Sequence, residues 1–107
     1  MKTSELTGAA LNWAVATLMD LDIEIKYGVV HVDDDEVFMA DLDWNIVGII
    51  IEREKIATNY SAKRDCWFAE NFLETCAEAG PTPLIAALRC YVASKLGDEV
   101  DIPEELT

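Results

Sequence analysis

Basic residues and long apolar runs are both scarce in this sequence. Lys and Arg total 8 against 21 Asp and Glu, which gives a formal net charge of −13 at pH 7. A chain this acidic repels phosphate backbones and anionic bilayers at ordinary salt, so we expect no direct nucleic-acid partner and no membrane partner. No apolar run approaches the length of a membrane span, and the N-terminus lacks the basic segment and apolar core of a secretory signal.

Cysteine and histidine are also few. Cys66, Cys76 and Cys90 are widely spaced and include no CxxC pair, so neither a disulfide framework nor a zinc site is indicated. Reduced thiols fit a cytoplasmic location best. Nucleophilic catalysis would need His31, the only histidine, beside a cysteine or serine, and no local signature supports this. Phosphate-binding glycine loops and an HExxH motif are absent, so the sequence predicts no cofactor.

Hydrophobic residues make up 51% of the 107 positions, which is enough to form a core despite the high charge. We predict a single domain over residues 1–107, with residues 98–107 as an acidic C-terminal arm. The clearest element is a long helix between Thr82 and Gly97. Thr82 suits the N-cap, Pro83 suits the first turn, Gly97 suits the residue after the last turn, and apolar residues recur between them at helical spacing.

The remaining elements are predicted from periodicity. Residues 8–19 have the apolar spacing of a helix, and alternating apolar and charged residues over 23–32 favour a hairpin. The apolar β-branched run at 46–51 is typical of a central strand, whereas apolar spacing over 65–78 predicts a helix. The expected fold class is therefore α+β: a small, mainly antiparallel sheet between residues 22 and 61, with the N-terminal helix and the long C-terminal helix packed on one face.

Acidic residues are concentrated between positions 33 and 43. Four adjacent carboxylates cannot be buried unpaired, so residues 33–36 are predicted to form a solvated loop. The aromatic side chain at position 44 follows an acid, as in an interface whose acidic rim selects a basic partner, although it can equally close one end of the sheet. The predicted binding residues are Asp33, Asp34, Asp35, Glu36, Asp41, Asp43 and Trp44.

Two other interpretations of charged residues remain open. His31, Asp33 and Asp35 alternate along an extended segment, so their side chains share one face on which a divalent metal can bind. A small metal-dependent enzyme using these three residues is therefore an alternative function. Arg89, on the long helix, either pairs with an acidic neighbour or marks a contact with an anion or another subunit.

Three stretches of the chain resemble one known family. They are MKTSELTGAALNWAVA at 1–16, IIERE at 50–54 and, most specifically, GPTPLIAALRCYVASKLGD at 80–98. Together they resemble the NinX-like proteins of phages and prophages of enteric bacteria, a family that brings no catalytic motif to this chain. The resemblance implies a phage origin and expression inside a bacterial cell, which agrees with the cytoplasmic location that reduced thiols favour.

These observations lead to three functional hypotheses. The first is a non-enzymatic phage protein that binds a host protein with a basic surface, such as a nucleic-acid-handling or defence complex, because carboxylates can compete for a phosphate-binding groove. The second is the metal-dependent enzyme described above. The third is a phage scaffold protein that can assemble as a homo-oligomer and whose acidity serves only to keep it soluble.

Overall fold

A computed structural model describes residues 1–33, 35–71 and 76–107. Within these ranges the chain forms three α-helices and two antiparallel sheets of three strands each. The helices are α1 (Gly8–Leu18), α2 (Trp44–Glu54) and α3 (Pro83–Leu96). The first sheet contains β1 (Ile23–Lys26), β2 (Val29–Val32) and β3 (Glu36–Val37), and the second contains β4 (Ile56–Ser61), β5 (Cys66–Asn71) and β6 (Cys76–Gly80).

Helix α3 is the central element of the core. It contacts every strand of the second sheet as well as α1 and α2, and its side chains from Leu84 to Leu88 are buried. The Thr82 hydroxyl oxygen accepts a hydrogen bond from the backbone N–H of Ile85 at 3.1 Å, and Gly97, with φ of 87°, follows the last turn. The predicted α+β class is confirmed, with the long C-terminal helix packed on an antiparallel sheet.

The N-terminal helix and the first hairpin also match their predictions. Helix α1 packs against α3 and against β1 and β2. In the hairpin, Ile23 lies opposite Val32 and Ile25 lies opposite Val30, which places the apolar side chains of both strands on one face. The strands are not confined to residues 22–61, however, because the second sheet extends to Gly80.

The predicted central strand at residues 46–51 is wrong, because this run lies inside α2. The Asp43 carboxylate accepts a hydrogen bond from the backbone N–H of Asn45 at 2.9 Å and begins the helix, which ends at Lys55 in a left-handed conformation. Val47 and Ile50 are buried, whereas Ile49 is exposed, so burial follows helical spacing. Packing on one side therefore overrides the strand preference of β-branched residues.

The predicted helix over residues 65–78 is also wrong. Most of it forms β5 and β6, which pair with each other from Trp67 opposite Gly80 to Asn71 opposite Cys76. Ala69 and Asn71 are buried while Glu70 is exposed, which is the alternation of a strand.

The chain termini pair with each other. The backbone N–H of Thr3 donates to the Asp98 carbonyl oxygen at 2.8 Å, and the Val100 N–H donates to the Met1 carbonyl oxygen at 2.9 Å. Val100 is buried against the core. The first part of residues 98–107 is therefore held against the N-terminal segment.

Glu54 joins the C-terminal ends of α2 and α3. Its carboxylate accepts hydrogen bonds from Nε of Arg53 and Nζ of Lys95, both at 3.0 Å, and only 10% of its side chain is exposed. Burial acts to raise the pKa of Glu54, but the hydrogen bonds from Lys95 and Arg53 outweigh burial and hold the pKa below its ordinary 4.5. A carboxyl whose pKa is lowered by folding stabilises the protein above its unfolded-state pKa, and this contribution is lost as pH falls through the folded pKa.

We expect Glu54→Gln to lower the free energy of unfolding at neutral pH by about 1 kcal/mol, because the partly exposed basic partners are screened by water. The difference between the variant and the parent should shrink as the pH falls below 4.5, where the parent carboxylate becomes protonated. Urea titrations at several pH values across this range measure the difference in free energy of unfolding. Glu52→Gln, an exposed change on the same helix, is the control, and a pH-independent loss in Glu54→Gln would contradict the electrostatic origin.

Candidate functional site

The open end of the first hairpin forms an acidic recess of about 300 Å³. Antiparallel pairing places Glu24 opposite His31, and the backbone N–H of Asp33 donates to the Asp22 carbonyl oxygen at 3.2 Å. The residues that line the recess are Asp22, Ile23, Glu24, His31, Val32, Asp33 and Asp35. The fold therefore brings together carboxylates from β1 and the residue before it, and from the turn that follows β2. We call this the acidic recess.

Lys26 is the basic residue paired with these carboxylates. Its Nζ lies 2.6 Å from the Asp35 carboxylate and 3.6 Å from that of Glu24, and Nδ1 of His31 is 3.4 Å from Asp35. The hydrogen bond with Lys26 lowers the pKa of the Asp35 carboxyl, and the same bond raises the pKa of Lys26. One ammonium group cannot neutralise four carboxylates, so the acidic recess keeps a negative charge.

The predicted metal ligands are close together but do not form a metal site. Over residues 1–33, 35–71 and 76–107, the structure has no group of three His, Cys, Asp or Glu side chains arranged to hold a metal ion. His31 and Asp35 are neighbours, but the Lys26 ammonium occupies the hydrogen-bonding position beside the Asp35 carboxylate. Asp34 lies outside the described residues.

Asp41 has a different role from the one its charge suggests. It is only 9% exposed, and its carboxylate accepts a hydrogen bond from Nδ2 of Asn12 at 3.0 Å. The Asn12 side-chain oxygen in turn accepts from the backbone N–H of Asp41 at 3.1 Å. This reciprocal pair joins α1 to the short 3₁₀ turn Ala40–Leu42. Asp41 is therefore turned away from any partner protein, and Asp43 serves as the N-cap of α2.

Trp44 is exposed at the start of α2. Its side chain is 58% accessible, so it does not close an end of either sheet. Leu42 and Ile49 are 68% and 63% exposed, and Met39 is also exposed. These four exposed apolar residues belong to one short segment of the chain, residues 39–49, and are named here the α2 strip.

Cys90, which is buried, and Cys76, which is partly buried, are poorly suited to nucleophilic catalysis. Burial raises the pKa of the Cys90 thiol to about 12 and also raises the pKa of Cys76. The Cys90 thiol donates to the Cys76 carbonyl oxygen at 3.4 Å. Both groups therefore remain protonated thiols at neutral pH, which is the unreactive form.

A second depression, of about 470 Å³, lies between the ends of β5 and β6 and the face of α3. Its walls include Phe68, Glu78, Pro81 and Arg89, and periodicity gave no indication of it. The only sequence signal was the isolated base Arg89 in an acidic chain. We call this depression the Arg89 groove.

The fold is that of a small α+β protein with two antiparallel sheets around a C-terminal core helix. The model of the family described as Bacteriophage P22, NinX matches residues 2–95, so the chain belongs to this phage family. The family resemblance seen in the sequence is thereby confirmed. No curated protein matches the chain. None of the helices in the described ranges is both long and apolar enough to cross a membrane.

Proposed function

We propose that this phage protein is a non-enzymatic interaction protein of the bacterial cytoplasm that binds a basic surface on a host protein. The observation that supports the proposal is the acidic recess, which is lined by Asp22, Glu24, Asp33 and Asp35, two of which pair with Lys26. A cluster of exposed carboxylates attracts Lys and Arg side chains and speeds association with a basic partner. A protein that normally holds a phosphate backbone presents such a surface.

Exposure favours some of the predicted binding residues over others for the proposed contact. Asp33, Asp35 and Glu36 are exposed beside or within the acidic recess, whereas Asp41 is buried and Asp43 is occupied as a helix cap. Trp44 can add an aromatic contact from the α2 strip, since exposed tryptophans are frequent anchors in protein interfaces. A nucleic-acid-handling or defence complex of the host is the partner class that this chemistry favours.

Two variants with equal changes in net charge test the proposal. The recess variant removes four exposed carboxylates of the first hairpin and its turn: Glu24→Gln, Asp33→Asn, Asp35→Asn and Glu36→Gln. The matched control removes four exposed carboxylates near the C-terminus: Glu99→Gln, Asp101→Asn, Glu104→Gln and Glu105→Gln. Both variants and the parent are tagged and used for affinity capture from bacterial lysate, at low and at high salt.

We expect the parent and the control to retain one stoichiometric basic partner at low salt, and the recess variant to lose it. With the purified partner, calorimetry should show an affinity at least about tenfold lower for the recess variant, equivalent to roughly 1.4 kcal/mol. The salt dependence should also become shallower, because fewer charge contacts remain. Equal weakening by both variants would show that total charge, and not the acidic recess, governs binding.

A phage scaffold protein is the second candidate function, and the α2 strip is the observation that favours it. Exposed apolar residues in one segment are typical of surfaces that contact other proteins. Sedimentation velocity separates the two functions. Self-association that Ile49→Asp abolishes supports the scaffold, whereas a monomer that captures a basic host protein supports the first proposal.

A further inference from the structure

Arg89 is held in a fixed orientation within the Arg89 groove. Its Nε donates to the Leu6 carbonyl oxygen at 2.7 Å, and one terminal nitrogen donates to the Ala79 carbonyl oxygen at 2.9 Å. A guanidinium has five N–H donors, so these two bonds leave donors for another acceptor. The group makes no ion pair with a carboxylate in the part of the chain that the structure describes. In so acidic a protein, such a cation is an unusual feature.

The surroundings of Arg89 determine what kind of anion it can accept. Phe68, Ala79 and Pro81 give the groove a mainly apolar wall, and the Arg64 guanidinium lies 5.7 Å from the centre of the Phe68 ring. Arg64 is not among the residues that line the groove, whereas Asp65 is, so Arg89 is the basic residue of the lining. A guanidinium in partly apolar surroundings pairs best with a planar carboxylate, which it can bind through two parallel hydrogen bonds.

Glu78 provides a second polar group in the groove. Its Oε1 is buried and has no hydrogen-bond partner among the described residues. Burial, reinforced by the charge of Asp98, raises the pKa of Glu78, while Arg89 acts in the opposite direction. A buried oxygen without a partner is unfavourable, so a ligand donor placed beside it would stabilise the complex.

We propose that the Arg89 groove binds a small organic carboxylate, with the carboxylate on Arg89 and an apolar body against Phe68 and Pro81. This site is independent of the acidic recess and takes a ligand of the opposite charge. A ligand that also carries an ammonium or hydroxyl donor can satisfy Glu78. The ligand class is therefore that of aromatic or aliphatic acids, including the carboxylate end of a polypeptide with an apolar last residue.

An NMR titration of the full chain tests this assignment, with phenylacetate as the probe. We expect saturable shifts of the Arg89 Nε–H signal and of backbone amides over residues 77–81. Phenethylamine, which lacks the carboxylate, and inorganic phosphate, which lacks the apolar body, should not reproduce them. L-Phenylalanine should bind more tightly than phenylacetate if its ammonium reaches Glu78.

Arg89→Lys keeps the positive charge but cannot donate the bidentate pair of hydrogen bonds, so we expect the affinity for phenylacetate to fall about tenfold or more. Because Arg89 also contacts Leu6 and Ala79, a second variant keeps those contacts. Phe68→Ala should weaken phenylacetate binding severalfold, while slow solvent exchange of the Arg89 Nε–H in the free protein shows that its hydrogen bond to Leu6 is kept. The recess variant should bind phenylacetate as the parent does, which separates this test from that of the proposed function.

Several results would overturn the assignment. They are the absence of saturable shifts, equal shifts with phenethylamine or phosphate, and unchanged affinity in both Arg89→Lys and Phe68→Ala. If phenylacetate binds as expected, a peptide ending in phenylalanine, used as its free acid and as its amide, identifies the source of the carboxylate. Tighter binding of the free acid than of phenylacetate assigns the groove to a polypeptide terminus, and weaker binding assigns it to a free acid.

Discussion

Replacing Gly80 by alanine is expected to lower the free energy of unfolding by about 2 kcal/mol, because the site has no room for a methyl group. A Cβ at position 80 would lie 2.7 Å from the backbone nitrogen of Ala86 and 3.2 Å from the carbonyl carbon of Ile85. These are backbone atoms of the buried first turns of α3, so they cannot rotate away as a side chain can. The last residue of β6 and the helix would have to separate, which loosens packing at the centre of the core.

Gly48→Ala is the matched control, since it makes the same chemical change at an open site. Nothing lies within 4 Å of a Cβ placed there, and the residue is in the middle of α2. Alanine in a helix interior is favoured over glycine by up to about 1 kcal/mol, so this variant should be more stable than the parent. Urea denaturation of both variants measures the difference. Equal stability of the two would contradict the close packing of β6 on α3.

Local signals made the ends of α3 predictable. The N-cap side chain of Thr82, the ring of Pro83 and the positive φ of Gly97 act within a few residues, so their effect can be read from neighbouring sequence. The hairpin of β1 and β2 was predictable for a similar reason, because apolar residues recur at every second position on both sides of Gly28. Both elements depend little on what the rest of the chain contributes.

Residues 46–51 and 65–78 were assigned to the wrong type of secondary structure because their structure depends on packing and pairing with residues outside each run. A run of Ile and Val fits a helix or a strand until one knows that Val47 and Ile50 are buried in the core while Ile49 is exposed. Likewise, β5 is a strand because β4 and β6 supply hydrogen bonds on both sides of it. The partners of β5 are its neighbouring strands in sequence, but the pairing is not visible in the residues of β5 alone, and residue preferences of a fraction of a kilocalorie do not decide between the alternatives.

The candidate sites were also only partly predictable, because they too depend on residues from other elements of the fold. Charge density drew attention to Asp33 and Asp35, which line the acidic recess, but charge alone could not separate them from Asp41. The partner that removes Asp41 from the surface is Asn12, in another helix. The Arg89 groove was less predictable still, because it joins β5, β6 and α3, and one isolated base was its only trace in the sequence.

The pair formed by Asn12 and Asp41 is expected to be a large contributor to stability. Asn12→Ala removes the donor to the Asp41 carboxylate and also the acceptor of the Asp41 N–H. A charged group left buried without its hydrogen bonds costs more than a neutral one, so we expect a loss of about 3 kcal/mol. Asp41→Ala leaves only the neutral Asn12 amide without its acceptor, and its expected cost is about 2 kcal/mol.

A double-mutant cycle in urea denaturation isolates this interaction. Once one partner is absent, replacing the other removes no further hydrogen bond between them. The loss in free energy of unfolding of the double variant should therefore be smaller than the sum of the two single losses by at least about 1 kcal/mol. Asp43→Asn is the control in the same segment, because asparagine caps a helix as well as aspartate does and stability should change by no more than roughly 0.5 kcal/mol. Additive losses from Asn12→Ala and Asp41→Ala would show that the two side chains act independently. Asp41 would then return to the set of carboxylates available to a basic partner.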